Sequence, residues 1–474
     1  MSSEWKARLG LVGLTTALTA MGLSRMASFG APVRPIQTRA PEDITSQPAA
    51  ANRDSELQEE AGQILEQMSR ITGLPIKSQV RYRVVNHAQV EQYIIHNLRS
   101  QYTPAQFHIQ EAMLMAFGLV PPDFNLRKFL IAFYTEQAAG FYDPKTKTMY
   151  IARWLPQAMQ SMVLAHELTH ALQDQNFGLE EFLNAARRND DASAARQAFV
   201  EGYATAAMVQ QMIEPARLGN FFSIRALLGP VLAGQIAQFP VFSKAPFFLR
   251  YESLFPYAQG AAFAQDALRQ GGWKKLNAVF NDAPESTKDF FDPQIYFQHV
   301  QLPKLALPQP KSLEHAKNMV FLEENTLGEL GIYTLVGQLI SQEEARKISP
   351  GWLADRYLLY QNRRTEGYAV VGSTLWSEPA FAQEFFHDEV TILRKKYPTL
   401  RTRGGSTDGR FLGRTSKGDV MVLLEGSAVE WAEGVPADRA RAVLQVLRSL
   451  KNGSAVAGAV RREITSAGLS ARTH

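Results

Sequence analysis

Apolar residues recur at helical spacing from Leu57 to Ile71, and Gly73 and Pro75 end the pattern, so the folded part of the chain is expected to open with a helix. Val80, Tyr82 and Val84 alternate with Arg81 and Arg83, which predicts a strand. Amphipathic segments follow as far as Tyr134. Between Gly140 and Ile151, two runs of aromatic and β-branched residues flank Asp143-Pro144 and predict a hairpin. Helical spacing dominates from Pro156 to about Leu276, and three prolines within 301–312 mark a boundary. Beyond it the pattern predicts helices around 326–362, one of them starting at Gly351-Trp352 with Asp355 and Arg356 as cap and ion pair. Strands are expected at Tyr368–Trp376, Asp419–Glu425 and Ala428–Ala432, and a last helix across 436–450.

These patterns place the chain in the α+β class: a mostly helical main domain with a small sheet or hairpin, and a smaller α+β domain after it. The expected divisions are a leader at 1–31, a flexible linker at 32–54 and the main domain at 55–300. A Pro-rich linker at 301–315, a C-terminal domain at 316–452 and a loose tail at 453–474 complete the chain. In the leader, Lys6 and Arg8 precede the uncharged run Leu9–Leu23, and small residues follow Arg25. The run is short of the roughly 20 residues that a bilayer span needs, and it reads as an export signal. An uncleaved, membrane-tethering anchor is the alternative, so the expected location is secreted or periplasmic.

Composition narrows the chemistry. The 474 residues are 45% hydrophobic and 20% charged, which excludes a fully disordered chain. There is no cysteine, so disulfide scaffolds, thiolate metal sites and cysteine nucleophiles are excluded, and any metal must be held by nitrogen and oxygen. The formal charge of +4, from 50 basic and 46 acidic residues, is too even to indicate a nucleic-acid partner.

One stretch carries chemistry. In Val163-Leu-Ala-His-Glu-Leu-Thr-His-Ala-Leu172, His166 and His170 are four residues apart and share one helix face, from which both imidazoles reach a single zinc ion (Zn2+). Glu167 is about 100° further round the helix, beside the metal, where a general base takes a proton from zinc-activated water. No other charged residue occurs between Val163 and Leu172, which predicts a buried helix. The competing reading is a pair of hydrogen-bonded core histidines.

A hydrolytic zinc site needs three protein ligands and one open position. Glu201 is the leading third ligand, with His299, His315 and Asp191 as rivals. Ala194, Ala198, Glu201, Thr205 and Met208 share a helix face that Asp190 or Asp191 can cap, and a carboxylate among small residues there needs a cation. The competing reading pairs an exposed Glu201 with Arg196 or Arg187. Asp174, four residues after His170, is placed to accept the outer N–H of a zinc-bound histidine, with Gln173 or Thr205 as alternatives.

His-Glu-Leu-Thr-His-Ala (166–171) resembles the active-site helix of zincin metallopeptidases, and is similar to their gluzincin branch, in which a glutamate on a later helix completes the site. The run His-Glu-Leu-Thr-His-Ala-Leu-Gln-Asp-Gln (166–175), with Val-Glu-Gly (200–202) and Phe-Pro-Tyr-Ala-Gln-Gly (255–260), is closer still to uncharacterised exported bacterial proteins. The resemblance implies a zincin-like main domain, with His166, His170 and Glu201 as ligands and Glu167 as base. It also implies that the hairpin strand pairs with substrate backbone. Val200 and Thr205 stand where thermolysin-like enzymes carry Asn and Asp, so their substrate rules do not transfer. No histidine follows His170 before His299, which excludes the metzincin arrangement. Tyr203, Tyr251, Tyr257 and His299 are candidate donors to the tetrahedral intermediate, with Tyr257 first because it lies in a shared segment. The expected activity is zinc-dependent hydrolysis of a peptide or protein substrate; a non-catalytic zinc-bound envelope protein is the alternative.

Overall fold

The computed structural model describes residues 47–213, 239–403 and 409–450. The leader, residues 32–46 of the expected linker and the C-terminal tail lie outside these residues. The protein is α+β: 57% of the described residues are in helices and 18% in strands.

Helix α1 (Gln47–Thr72) begins inside the expected linker. β1 (Arg81–Val85), α2 (His87–Gln101), α3 (Pro104–Ala116) and α4 (Leu126–Gln137) follow. Asn86 and Thr103 start α2 and α3 with capping boxes that satisfy orphan N–H groups at the N-terminus of each helix. The hairpin forms as β2 (Gly140–Asp143) and β3 (Thr148–Ala152). Its turn is held by Asp143, whose Oδ1 accepts from Lys145 N–H and Oδ2 from Thr146 Oγ1. The three-stranded sheet has the order β1-β3-β2, with β1 parallel to β3, so β2 is an edge strand.

α5 (Gln157–Phe177) carries the His-Glu-Leu-Thr-His run. Residues 162–174 are all buried, as their apolar flanks predict. Gly178, at φ +67°, ends α5 in the left-handed conformation. After the short α6 (Leu179–Asn184) comes α7 (Asp190–Met212). Its cap is Asn189, whose side chain accepts from Ala192 N–H; Asp190 and Asp191, expected to cap, instead occupy the first turn. α8 (Pro240–Lys244) leads to the long α9 (Phe247–Ala278), then to α10 (Lys288–Phe291) and α11 (Pro293–Phe297).

The C-terminal part comprises α12 (Lys311–Glu314), β4 (Met319–Asn325), α13 (Gly328–Leu339), α14 (Gln342–Ile348), β5 (Trp352–Asn362), β6 (Gly367–Trp376), α15 (Pro379–Lys396), β7 (Arg401–Thr402), β8 (Arg410–Thr415), β9 (Gly418–Glu425), β10 (Ala428–Val435) and α16 (Ala440–Ser449). Its seven strands form one antiparallel sheet, ordered β4-β5-β6-β10-β9-β8-β7. The helix expected from Gly351-Trp352 is strand β5. Both faces of β5 are buried: Tyr357 and Leu359 join the main core, while Leu358 and Tyr360 join a second core under α16. A strand covered on both sides loses the apolar/polar alternation that identifies it, so its sequence reads as helical. Asp355 does cap a helix, but it is α13: its carboxylate accepts from Leu327 N–H and Gly328 N–H at 2.8 and 2.9 Å.

The main apolar core runs from α1 through α5, α7 and α9 into α13 and the sheet. Buried polar bonds join the same parts. Asp191 on α7 accepts from both N–H and Oγ1 of Thr287, and Lys288 pairs with Glu329 at 3.1 Å.

Candidate metal centre

Three ligand atoms from two helices meet in the core. His166 Nε2 lies 3.1 Å from Glu201 Oε2, His170 Nε2 lies 3.4 Å from the same oxygen, and the two Nε2 atoms are 3.1 Å apart. A tetrahedral zinc bound about 2.0–2.1 Å from each ligand sets ligand-to-ligand edges of about 3.3 Å, so this triangle has the size one ion requires. Among the described residues these three are the one such grouping of histidines and carboxylates. All three side chains are fully buried.

The hydrogen bonding fixes how the three side chains face one another. The Gln173 amide donates Nε2–H to the Val200 carbonyl, which turns its Oε1 toward His170 Nδ1 at 2.8 Å. An oxygen there requires Nδ1 to carry the proton. The Nε2 of a neutral His170 is then a lone pair facing Glu201 and His166, and a proton or a metal ion shared among these three groups removes the repulsion. Burial pushes the His166 imidazole below its ordinary value. Burial acts likewise on His170, but the Glu201 charge outweighs it and leaves His170 raised. Burial alone would raise Glu201; the two imidazoles overcome it and hold the carboxyl well below the usual range. Its second oxygen, Oε1, accepts from Gln197 Nε2–H at 2.9 Å, which leaves Oε2 to face the histidines.

Glu167 is fully buried beside its neighbour His166. Its Oε2 accepts the backbone N–H of Tyr142, on edge strand β2, at 2.9 Å. The Tyr142 hydroxyl and Lys147 Nζ both donate to Asp174, at 2.8 and 2.7 Å. Asp174 thus ties the hairpin to α5 and does not serve a histidine; Gln173 takes that role. Thr205 Oγ1 and His166 Nδ1 are buried with no hydrogen-bond partner among the described residues. Tyr257 lies with its ring centroid 6.0 Å from that of His166.

The remaining candidates are elsewhere. Asp191 is engaged with Thr287, His315 is exposed and His299 is exposed near Asp282. Tyr203 donates to Asn277, and Tyr251 stacks on Tyr333. Arg196 donates to the Phe182 carbonyl and not to Glu201. Gln197 is the contributor that sequence reasoning missed, although its place four residues before Glu201 on a helix was a usable signal. The donation from Tyr142 had none, because it comes from the backbone.

A cleft of about 260 Å³ opens beside the centre, and Glu201, Tyr142, Asp143 and Tyr257 all line it. Glu201 is the one member of the triad in its wall.

Residues 318–444 match a family model described as a domain of unknown function, DUF8575. The match runs from β4 to the first half of α16 and includes none of the triad. No curated protein and no solved structure matches the chain.

Proposed function

We propose that this protein is a zinc-dependent hydrolase of peptide bonds. The observation that carries the reading is the triangle of His166 Nε2, His170 Nε2 and Glu201 Oε2, with edges of 3.1 to 3.4 Å, at the side of a cleft. A zinc ion held there supplies a Lewis acid for the scissile carbonyl and brings the pKa of a water to about 7. Glu167 is the base that takes the water's proton and returns it to the leaving amine, its carboxylate oriented by Tyr142 N–H. Tyr257, beside His166 and in the cleft wall, donates to the oxygen that gains charge. Edge strand β2 lines the same cleft through Tyr142 and Asp143, so an extended peptide held there lies along it. Export directed by residues 1–31 belongs to the same reading and is checked by sequencing the mature N-terminus.

The purified full chain is expected to bind one zinc ion and to cut members of a peptide library. A chelator should stop the reaction and added zinc restore it. Glu167→Gln should keep zinc and lose at least about 100-fold in kcat. Full activity in Glu167→Gln, or in chelator-treated protein, would reject the mechanism. The fully buried imidazoles favour a second reading, a structural zinc protein; wild-type protein that holds zinc yet cuts nothing would support it.

A further inference from the structure

The C-terminal part of the chain has no place in the chemistry above, yet it reaches the cleft. Leu327, Leu330, Thr334 and Leu335, on and just before α13, form one wall. Leu130 and Phe133 on α4, with Phe248 and Phe255 on α9, supply apolar surface from the other part of the chain. Leu330, Phe133 and Phe248 are only 2 to 3% exposed and mark the deep end. The mouth is charged: Lys145 and Glu180 also line the cleft, and both are more than two-fifths exposed.

The α13 wall is fixed relative to the triad. Leu330 N–H donates to Thr287 Oγ1 at 3.1 Å, and Thr287 in turn donates to Asp191. Asp191 is on α7, the helix that carries Glu201. At Gly328, φ +74°, the space a Cβ would take is filled by the Asp191 carboxylate. Asp355 anchors Leu327 N–H and Gly328 N–H from the sheet side. One buried set of hydrogen bonds thus sets both the apolar wall and the register of the glutamate ligand, so the pocket is preformed.

We propose that α13 and the facing helices α4 and α9 form a specificity pocket that takes one large apolar side chain of the peptide substrate. The inference rests on the hydrolase reading above and assigns the C-terminal region a role in choosing the substrate. The occupant follows from the cleft: Tyr142 and Asp143 line it together with Glu201, and an extended peptide lying there turns alternate side chains to one side. A side chain entering a deep apolar space is selected by size and by lack of charge.

The test uses the zinc-loaded full chain and fluorogenic peptides that differ at one position at a time (Phe, Leu, Ala or Asp) on either side of the scissile bond. At one position, kcat/KM for Phe or Leu is expected to exceed that for Ala by about tenfold or more, with Asp lowest. Leu330→Ala and Leu130→Ala, on opposite walls, should each move the optimum toward a larger side chain, with melting curves showing that each variant is folded. Binding of an uncleavable Phe peptide to Glu167→Gln, read by fluorescence anisotropy, gives a measure independent of turnover. Cleavage with no apolar preference, or a preference that folded Leu330→Ala leaves unmoved, overturns the pocket and spares the hydrolase reading. Phe-peptide binding that weakens in Leu330→Ala, by a protein that cuts nothing, supports the pocket and sinks the hydrolase reading.

Discussion

Two glutamines govern the candidate centre at the scale of single residues. Gln173 sets the proton on His170 Nδ1, and Gln197 occupies the spare oxygen of Glu201. Such outer partners orient ligands, and losing one weakens metal binding by roughly 10- to 100-fold. Gln173→Leu and Gln197→Leu are each expected to lose zinc affinity in that range, measured by competition with a chelating dye. Unchanged affinity in both would show that the histidines and Glu201 hold their positions without help. His166, Glu167 and His170 were legible because helix geometry converts four-residue spacing into one face. Glu201 was legible only as a carboxylate stranded among small residues. The choice of Gln173 over Asp174 could not be read: it depends on which neighbour faces the Val200 carbonyl and which faces the hairpin, and both come from other elements.

Between elements, what matters most is how closely α7 and α9 cross. A Cβ added at Gly202 would lie 2.0 Å from the Gly260 carbonyl carbon, and one added at Gly260 would lie 2.1 Å from the Ala198 carbonyl oxygen. The helices therefore touch backbone to backbone, one residue after Glu201 and three residues after Tyr257. The crossing is a physical reason for a glycine at each of the two positions. Gly260→Ala is expected to force the helices apart and to cost about 1–3 kcal/mol or more. It should also lower zinc content by moving Glu201. Denaturant midpoints and metal analysis check both, and a wild-type result in each would show that the crossing relaxes freely. The hairpin was legible from its alternating runs and its Asp-Pro turn. The helical reading of β5 failed because both faces of that strand are covered.

For the whole molecule, buried carboxyls make stability depend on pH. Burial raises Glu389 to about 8, with the neighbouring Glu433 adding to the effect. Burial also raises Glu329, Asp355 and Asp289 to about 7 each. The fold binds these protons more tightly than the unfolded chain does. Their contribution is therefore complete below about pH 4, where both states are neutral, and is lost as pH rises through 7 to 8. Glu389→Gln keeps the shape and removes the titration. Its stability advantage over wild type should be small at pH 5 and grow to roughly 1–3 kcal/mol by pH 8.5. Urea midpoints with a chelator present keep zinc binding out of the comparison. An advantage that does not grow with pH would place the Glu389 carboxyl in contact with water.

What the chain determined by itself were the local matters: helix starts and stops, the hairpin, and two histidines and a glutamate on one buried helix. These depend on spacing and on neighbours within a few residues, where backbone geometry leaves little choice. Only the tertiary structure decided which distant carboxylate meets the histidines, which glutamine orients them, and that the C-terminal part walls the cleft. Those outcomes depend on how helices far apart in sequence pack, and α7 is placed by its glycine contact with α9 and by Asp191 bound to Thr287.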